Sequence, residues 1–74
     1  MIFEGDYLNG KRNGKGKEYN EKGKLIIEGE YLKGEENGKG KEYNNNKLIF
    51  EGEFLNGLKN GKGKAFNEEG KLII

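Results

Sequence analysis

Along this chain, aromatic or aliphatic positions alternate with charged ones at a period of two, broken at regular intervals by glycine and asparagine. Phe3, Gly5 and Tyr7 alternate with Glu4, Asp6 and Leu8, and the same order returns at Ile27 to Leu32 and at Phe50 to Leu55. Each segment is followed by Asn-Gly-Lys-Gly-Lys, at Asn13 to Lys17, Asn37 to Lys41 and Asn60 to Lys64, so the spacing is 24 and then 23 residues. Alternation over short runs predicts strands. A fixed period in this range signals a repeat array, whose function lies on a shared surface rather than at one constellation of residues. The 14 evenly spread glycines exclude long helices, since each costs about 1 kcal/mol in a helix interior.

The chain divides into one domain, 1–74, with repeats at 2–25, 26–48 and 49–72 and the start of an incomplete fourth at 73–74. Charge matching suggests a hairpin register in which Asp6 faces Lys15, Glu4 faces Lys17, Glu30 faces Lys39, Glu28 faces Lys41, Glu53 faces Lys62 and Glu51 faces Lys64. That register sets Gly29 against Gly40 and lays Tyr7, Tyr31 and Phe54 over Gly14, Gly38 and Gly61, where a ring covers backbone that a strand glycine leaves bare. It leaves a four-residue loop, Asn9 to Arg12 in the first repeat. The connections between hairpins read as three-residue loops, Glu21-Lys22-Gly23 and Glu68-Glu69-Gly70, closed by Tyr19 with Leu25 and Phe66 with Leu72. The second repeat is one residue shorter, and Tyr43 still meets Leu48 if Asn45-Asn46 forms a type I′ turn. Bulges at Lys17-Glu18, Lys41-Glu42 and Lys64-Ala65 would bring Tyr19, Tyr43 and Phe66 onto the face of Phe3 and Tyr31 and would bend the sheet. The predicted fold is all-β: a single-layer, curved, open-ended antiparallel β-meander of about three hairpin repeats.

Composition narrows the chemistry. At 74 residues without Cys or His, the chain is near the size at which one core barely suffices, and it has neither disulfides nor imidazole or thiolate metal ligands. It also lacks Ser, Thr, Pro, Trp, Gln and Val, so most of the usual nucleophiles and general bases are missing. Fourteen basic residues against 13 acidic ones give a net charge of +1, too little to draw nucleic acid or anionic lipid by a global field. No apolar run is long enough for a membrane span or signal core, which points to a cytoplasmic setting, at most peripheral to a membrane.

The units FEGDYLNGKRNGKGKEY, IEGEYLKGEENGKGKEY and FEGEFLNGLKNGKGKAF resemble the MORN repeat, with its aromatic-x-Gly-x-aromatic, Asn-Gly and Gly-x-Gly pattern. The chain is most similar to the variant with a Lys-Leu-Ile connection, here Lys24-Leu25-Ile26, Lys47-Leu48-Ile49 and Lys71-Leu72-Ile73. Departures are the short turn of repeat two, Glu35-Glu36 in place of Lys11-Arg12, and Ala65 in place of Glu. The resemblance implies a single-layer sheet of hairpins with no activity of its own and roles in scaffolding, dimerisation and phospholipid contact.

Gly-Lys-Gly-Lys is not a phosphate loop, because the Gly-x4-Gly-Lys-Ser/Thr spacing and its hydroxyl are absent. Carboxylates such as Glu28 and Glu30 lie beside lysines and read as a solvated ladder rather than as acid/base or calcium ligands. The expected function is non-enzymatic protein interaction or scaffolding, without catalytic residue, metal or cofactor. In this reading an aromatic groove of Phe3, Tyr7, Tyr19, Ile27, Tyr31, Tyr43, Phe50, Phe54 and Phe66 accepts an amphipathic partner helix or a second copy in a homo-oligomer. The alternatives are phospholipid contact through Lys11, Arg12, Lys22, Lys24 and Lys59, or a self-assembling structural repeat.

Overall fold

The computed structural model describes residues 2–74. Six strands follow in sequence: β1 (Ile2–Leu8), β2 (Lys11–Tyr19), β3 (Leu25–Leu32), β4 (Glu35–Asn44), β5 (Lys47–Leu55) and β6 (Leu58–Ala65). They form one antiparallel sheet in the order β1-β2-β3-β4-β5-β6, the meander expected from the repeats. Among the described residues there is no helix, and so none long and apolar enough to cross a membrane.

A row of glycines crosses the whole sheet. Gly5 faces Gly16, Gly16 faces Gly29, Gly29 faces Gly40, Gly40 faces Gly52, and Gly52 faces Gly63. Within each hairpin the two backbones approach so closely that a Cβ on Gly5, Gly29 or Gly52 would sit 2.6, 2.8 or 2.6 Å from the Cα of Gly16, Gly40 or Gly63. Rings cover this row on one side: Phe3 and Tyr31 over Gly16, Phe54 over Gly40, and Phe50 over Gly63. This cover makes the core, in which Tyr31 is 4% and Phe54 5% exposed.

The outer part of each hairpin has the expected register, with Glu4 against Lys17, Glu28 against Lys41 and Glu51 against Lys64. The inner part differs. Asn9-Gly10, Lys33-Gly34 and Asn56-Gly57 all have positive φ at both residues, the mark of a type I′ turn, so the loop has two residues rather than four. Tyr7, Tyr31 and Phe54 consequently pair with Arg12, Glu36 and Lys59 instead of Gly14, Gly38 and Gly61. The register recovers by a bulge, in which Gly14 (φ 93°) and its equivalents take left-handed backbone. Gly14 and Gly38 instead lie across from Tyr31 and Phe54 of the following hairpin. Lys15 and Lys39 likewise face Glu30 and Glu53 of the next hairpin. Glu30, left opposite the bulge, accepts a hydrogen bond from the Lys39 amide at 2.9 Å.

Between hairpins, Tyr19 meets Leu25, Tyr43 meets Leu48 and Phe66 meets Leu72, as expected. Asn45 and Asn46 form the two-residue turn with φ of 52° and 67°. In the longer connections, Asn20 Oδ1 accepts the amides of Lys22 and Lys24, and Asn67 Oδ1 those of Glu69 and Lys71. The second set of bulges lies on the other strand from the one expected. Glu18 faces Ile27 while Tyr19 faces Leu25, which leaves Ile26 as the extra residue; Ile49 has the same place in the next connection. Pairing through Lys17-Glu18, Lys41-Glu42 and Lys64-Ala65 within the hairpins is regular.

Gly29→Ala is expected to lower stability by roughly 1–3 kcal/mol, the usual penalty of an over-packed site, because its methyl meets backbone rather than a movable side chain. An unchanged urea midpoint would contradict the close approach. At the short turn, Asn46→Gly should be neutral or slightly stabilising, whereas Asn46→Ile should cost about 1–2 kcal/mol from left-handed strain. Equal thermal midpoints for the two variants would exclude the turn type.

Candidate functional site

The two faces of the sheet differ in chemistry, and the residues expected to form one aromatic face divide between them. Phe3, Tyr7 and Tyr31 cluster edge to face, with centroids 5.4 and 5.1 Å from Phe3, and Phe50 packs on Phe54 at 5.7 Å. Ile27 lies on the same side, across from Glu18 and Glu42. Tyr19 and Tyr43 do not. Because the extra residue is on β3 and β5, β2 and β4 keep strict alternation and carry these tyrosines to the face of Lys17 and Lys41. There the Tyr19 hydroxyl donates to Glu4 and the Tyr43 hydroxyl to Glu28, each at 3.1 Å. Phe66 has the equivalent place in the third repeat, half-buried across from Leu72.

On the aromatic side the chain's own charged groups lie over Phe3, Tyr31 and Phe50, while Tyr7 is exposed. Arg12 lies 4.1 Å from the Phe3 ring centre and donates to Glu18 at 2.7 Å; the Tyr31 hydroxyl donates to the same oxygen at 2.9 Å. Lys59 lies 4.3 Å from the Phe50 ring centre and 3.3 Å from Glu42. A cation thus caps each ring, where attraction to the π face adds to the ion pair. The second repeat has Ile27 in place of that ring, and Glu36 stands where Arg12 and Lys59 stand in the others. Burial raises the Tyr31 hydroxyl above the ordinary phenol range, with the Glu18 hydrogen bond adding to it. Hydrogen bonding to Glu4 raises Tyr19, and burial followed by the Glu28 bond raises Tyr43. All three hydroxyls therefore remain donors. Of the basic residues considered for lipid contact, Arg12 and Lys59 are held in these contacts, while Lys11, Lys22 and Lys24 are exposed.

The groove is on the opposite side. It encloses about 1290 Å³ and is lined by Glu4, Glu28, Glu30, Glu51 and Glu53, six lysines from Lys15 to Lys64, and six glycines. No aromatic side chain lines it: the rings expected to form a groove lie over the glycine row on one side, and the other side keeps the bare backbone as a floor. Ion pairs cross between hairpins, Lys17 to Glu28 at 3.9 Å and Lys41 to Glu51 at 3.8 Å. Exposed pairs of this kind contribute about 0–1 kcal/mol each. Apolar side chains border the charged band. By alternation Leu8, Leu32 and Leu55, all exposed, follow Asp6, Glu30 and Glu53 on this face, and Tyr19 and Tyr43 lie at its other edge.

A family comparison agrees with this architecture. The MORN repeat model matches residues 3–24, 28–47 and 50–65, most of the chain. The chain belongs to the MORN repeat family. MORN repeats are in general modules for protein or membrane interaction and are typically non-enzymatic. Searches of curated proteins and of solved structures found no match.

Sequence reasoning missed the Glu18, Glu36 and Glu42 cluster among the rings. Its signal was the coincidence of Phe3 with Arg12, Phe50 with Lys59, and Ile27 with Glu36. Glu36 Oε2 is buried without a hydrogen-bond partner among the described residues. Burial, then Glu42 and Glu18, raise its pKa above 4.5, against the pull of Lys59. A carboxyl with a raised folded-state pKa binds more protons folded than unfolded, so its cost is absent below 4.5 and fully present above the raised value. Glu36→Gln should therefore raise the thermal midpoint at pH 7 and leave it nearly unchanged at pH 4. An equal gain at both pH values would show that the charge is not the cause.

Proposed function

We propose that this chain is a non-enzymatic protein-interaction module of the MORN type that receives a helical segment of its partner in the groove on the charged face. The observation that carries this reading is the open groove of about 1290 Å³, which crosses the strands and which none of the described residues fills. Tyr31 and Phe54 have their contacts within the chain, so they serve as its core and the groove serves the partner. Tyr19, Tyr43 and the leucines at Leu8, Leu32 and Leu55 supply apolar contact at the borders, and the glycine floor lets a helix approach the backbone. Lipid binding is less well supported, since two of its five basic residues are tied to Glu18 and Glu42 and the groove lysines alternate with glutamates.

Helical peptides selected for binding to the purified chain test the reading by NMR. Amide shifts should concentrate at Gly16, Gly29, Gly40 and Gly52. Shifts confined to Tyr7 and the ring-covered side, or sedimentation with phosphoinositide vesicles that fades with salt and no peptide effect, would overturn it.

A further inference from the structure

The charges that wall the groove are arranged by strand. β1 presents Glu4, β2 Lys15 and Lys17, β3 Glu28 and Glu30, β4 Lys39 and Lys41, β5 Glu51 and Glu53, and β6 Lys62 and Lys64. In β2 to β6 a glycine of the central row lies between the two like charges, so the pair stands on either side of the groove floor. Along the groove the sign reverses at each strand, with negative and positive walls taking turns across all six.

We propose that the groove selects a polyampholyte helix, one whose groove-facing residues alternate between acidic and basic every three or four positions. This rests on the groove reading and specifies its partner. Neighbouring strands lie about 4.8 Å apart, so six strands span ~24 Å. Helix positions i, i+4, i+7, i+11, i+14 and i+18 share a face and span ~27 Å at a rise of about 1.5 Å per residue. The mismatch is roughly 3 Å over the whole groove, about 0.6 Å per strand step, within the reach of flexible lysine side chains. Each helix charge then lies between two opposite charges, one from each wall. A ligand of one sign gains nothing comparable, because each lysine column has an acidic neighbour closer than the ~8 Å over which physiological salt screens. A second copy of the chain offers the right signs when the strand order is reversed, but its shape is wrong. The sheet has Cα extents of 40 × 31 × 13 Å and is hollow on this face, so two such faces would meet at their borders and leave the charges apart.

The test uses three labelled alanine-based peptides of equal composition: one with Glu and Lys alternating at the positions above, one with all Glu in one half and all Lys in the other, and one with the charges scattered round the helix. Anisotropy at physiological salt should show the alternating peptide binding at least about tenfold tighter than either isomer, a difference of about 1.4 kcal/mol. Lys39→Gln with Lys41→Gln should remove most of that advantage while amide dispersion stays native. Equal shifts of Gly16, Gly29, Gly40 and Gly52 by all three peptides would overturn the charge selection and leave the groove reading standing. If no peptide moves those amides, both are overturned. A concentration-dependent mass abolished by the double substitution, without peptide discrimination, would assign the ladder to a second copy instead.

Discussion

The row of glycines from Gly5 to Gly63 is the constraint on which the rest of this structure depends. In a sheet with only one layer there is no second layer to bury apolar side chains against, so rings must be buried against the sheet itself. Glycine makes that possible by removing the side chains that would hold them off. Phe3, Tyr31, Phe50 and Phe54 lie on that row, and the edge-to-face contact of Phe3 with Tyr31 ties the first hairpin to the second. The same absence of Cβ atoms lets the two backbones of each hairpin approach. With so small a core, the cations over Phe3 and Phe50 exclude water from rings that no second layer covers.

The groove is the other side of that arrangement. Positions between the glycines must point away from the rings, and the sequence fills them with two acids on one strand and two lysines on the next. Two like charges on one strand repel, and opposite charges on neighbouring strands offset this where they face each other, as Glu4 does Lys17 and Lys15 does Glu30. An ion pair such as Lys17 with Glu28 holds two hairpins together weakly, and under the proposed function the same residues would also meet the partner.

Much of this was legible from residue order. The strands, their succession, the Gly29 to Gly40 pairing, the Asn45-Asn46 turn and the loops closed by Gly23 and Gly70 follow from period and turn chemistry, and the structure has them all. The inner register departs from charge matching because the preference of Asn9-Gly10 for two left-handed residues is the stronger constraint. The structure keeps both by inserting a bulge at Gly14, a solution that no pairwise rule announces. The facing of Tyr19 and Tyr43 differs from expectation for a related reason. A bulge was needed, but either strand could hold it, and the choice of Ile26 and Ile49 moved two tyrosines to the charged side. As a consequence, the expected binding surface and the observed groove are on opposite faces.

The most direct test of ring burial on the glycine row is a set of cross-strand NOEs in the uniformly labelled chain. The register described above requires contacts from the Tyr31 and Phe3 rings to the Gly16 α-protons and from the Phe54 ring to those of Gly40, with upfield ring-current shifts at both glycines. Contacts from the Tyr31 ring to Lys15 and Lys17 side chains, with the Gly16 α-protons at ordinary shifts, would contradict it and return the aromatic rings to the groove.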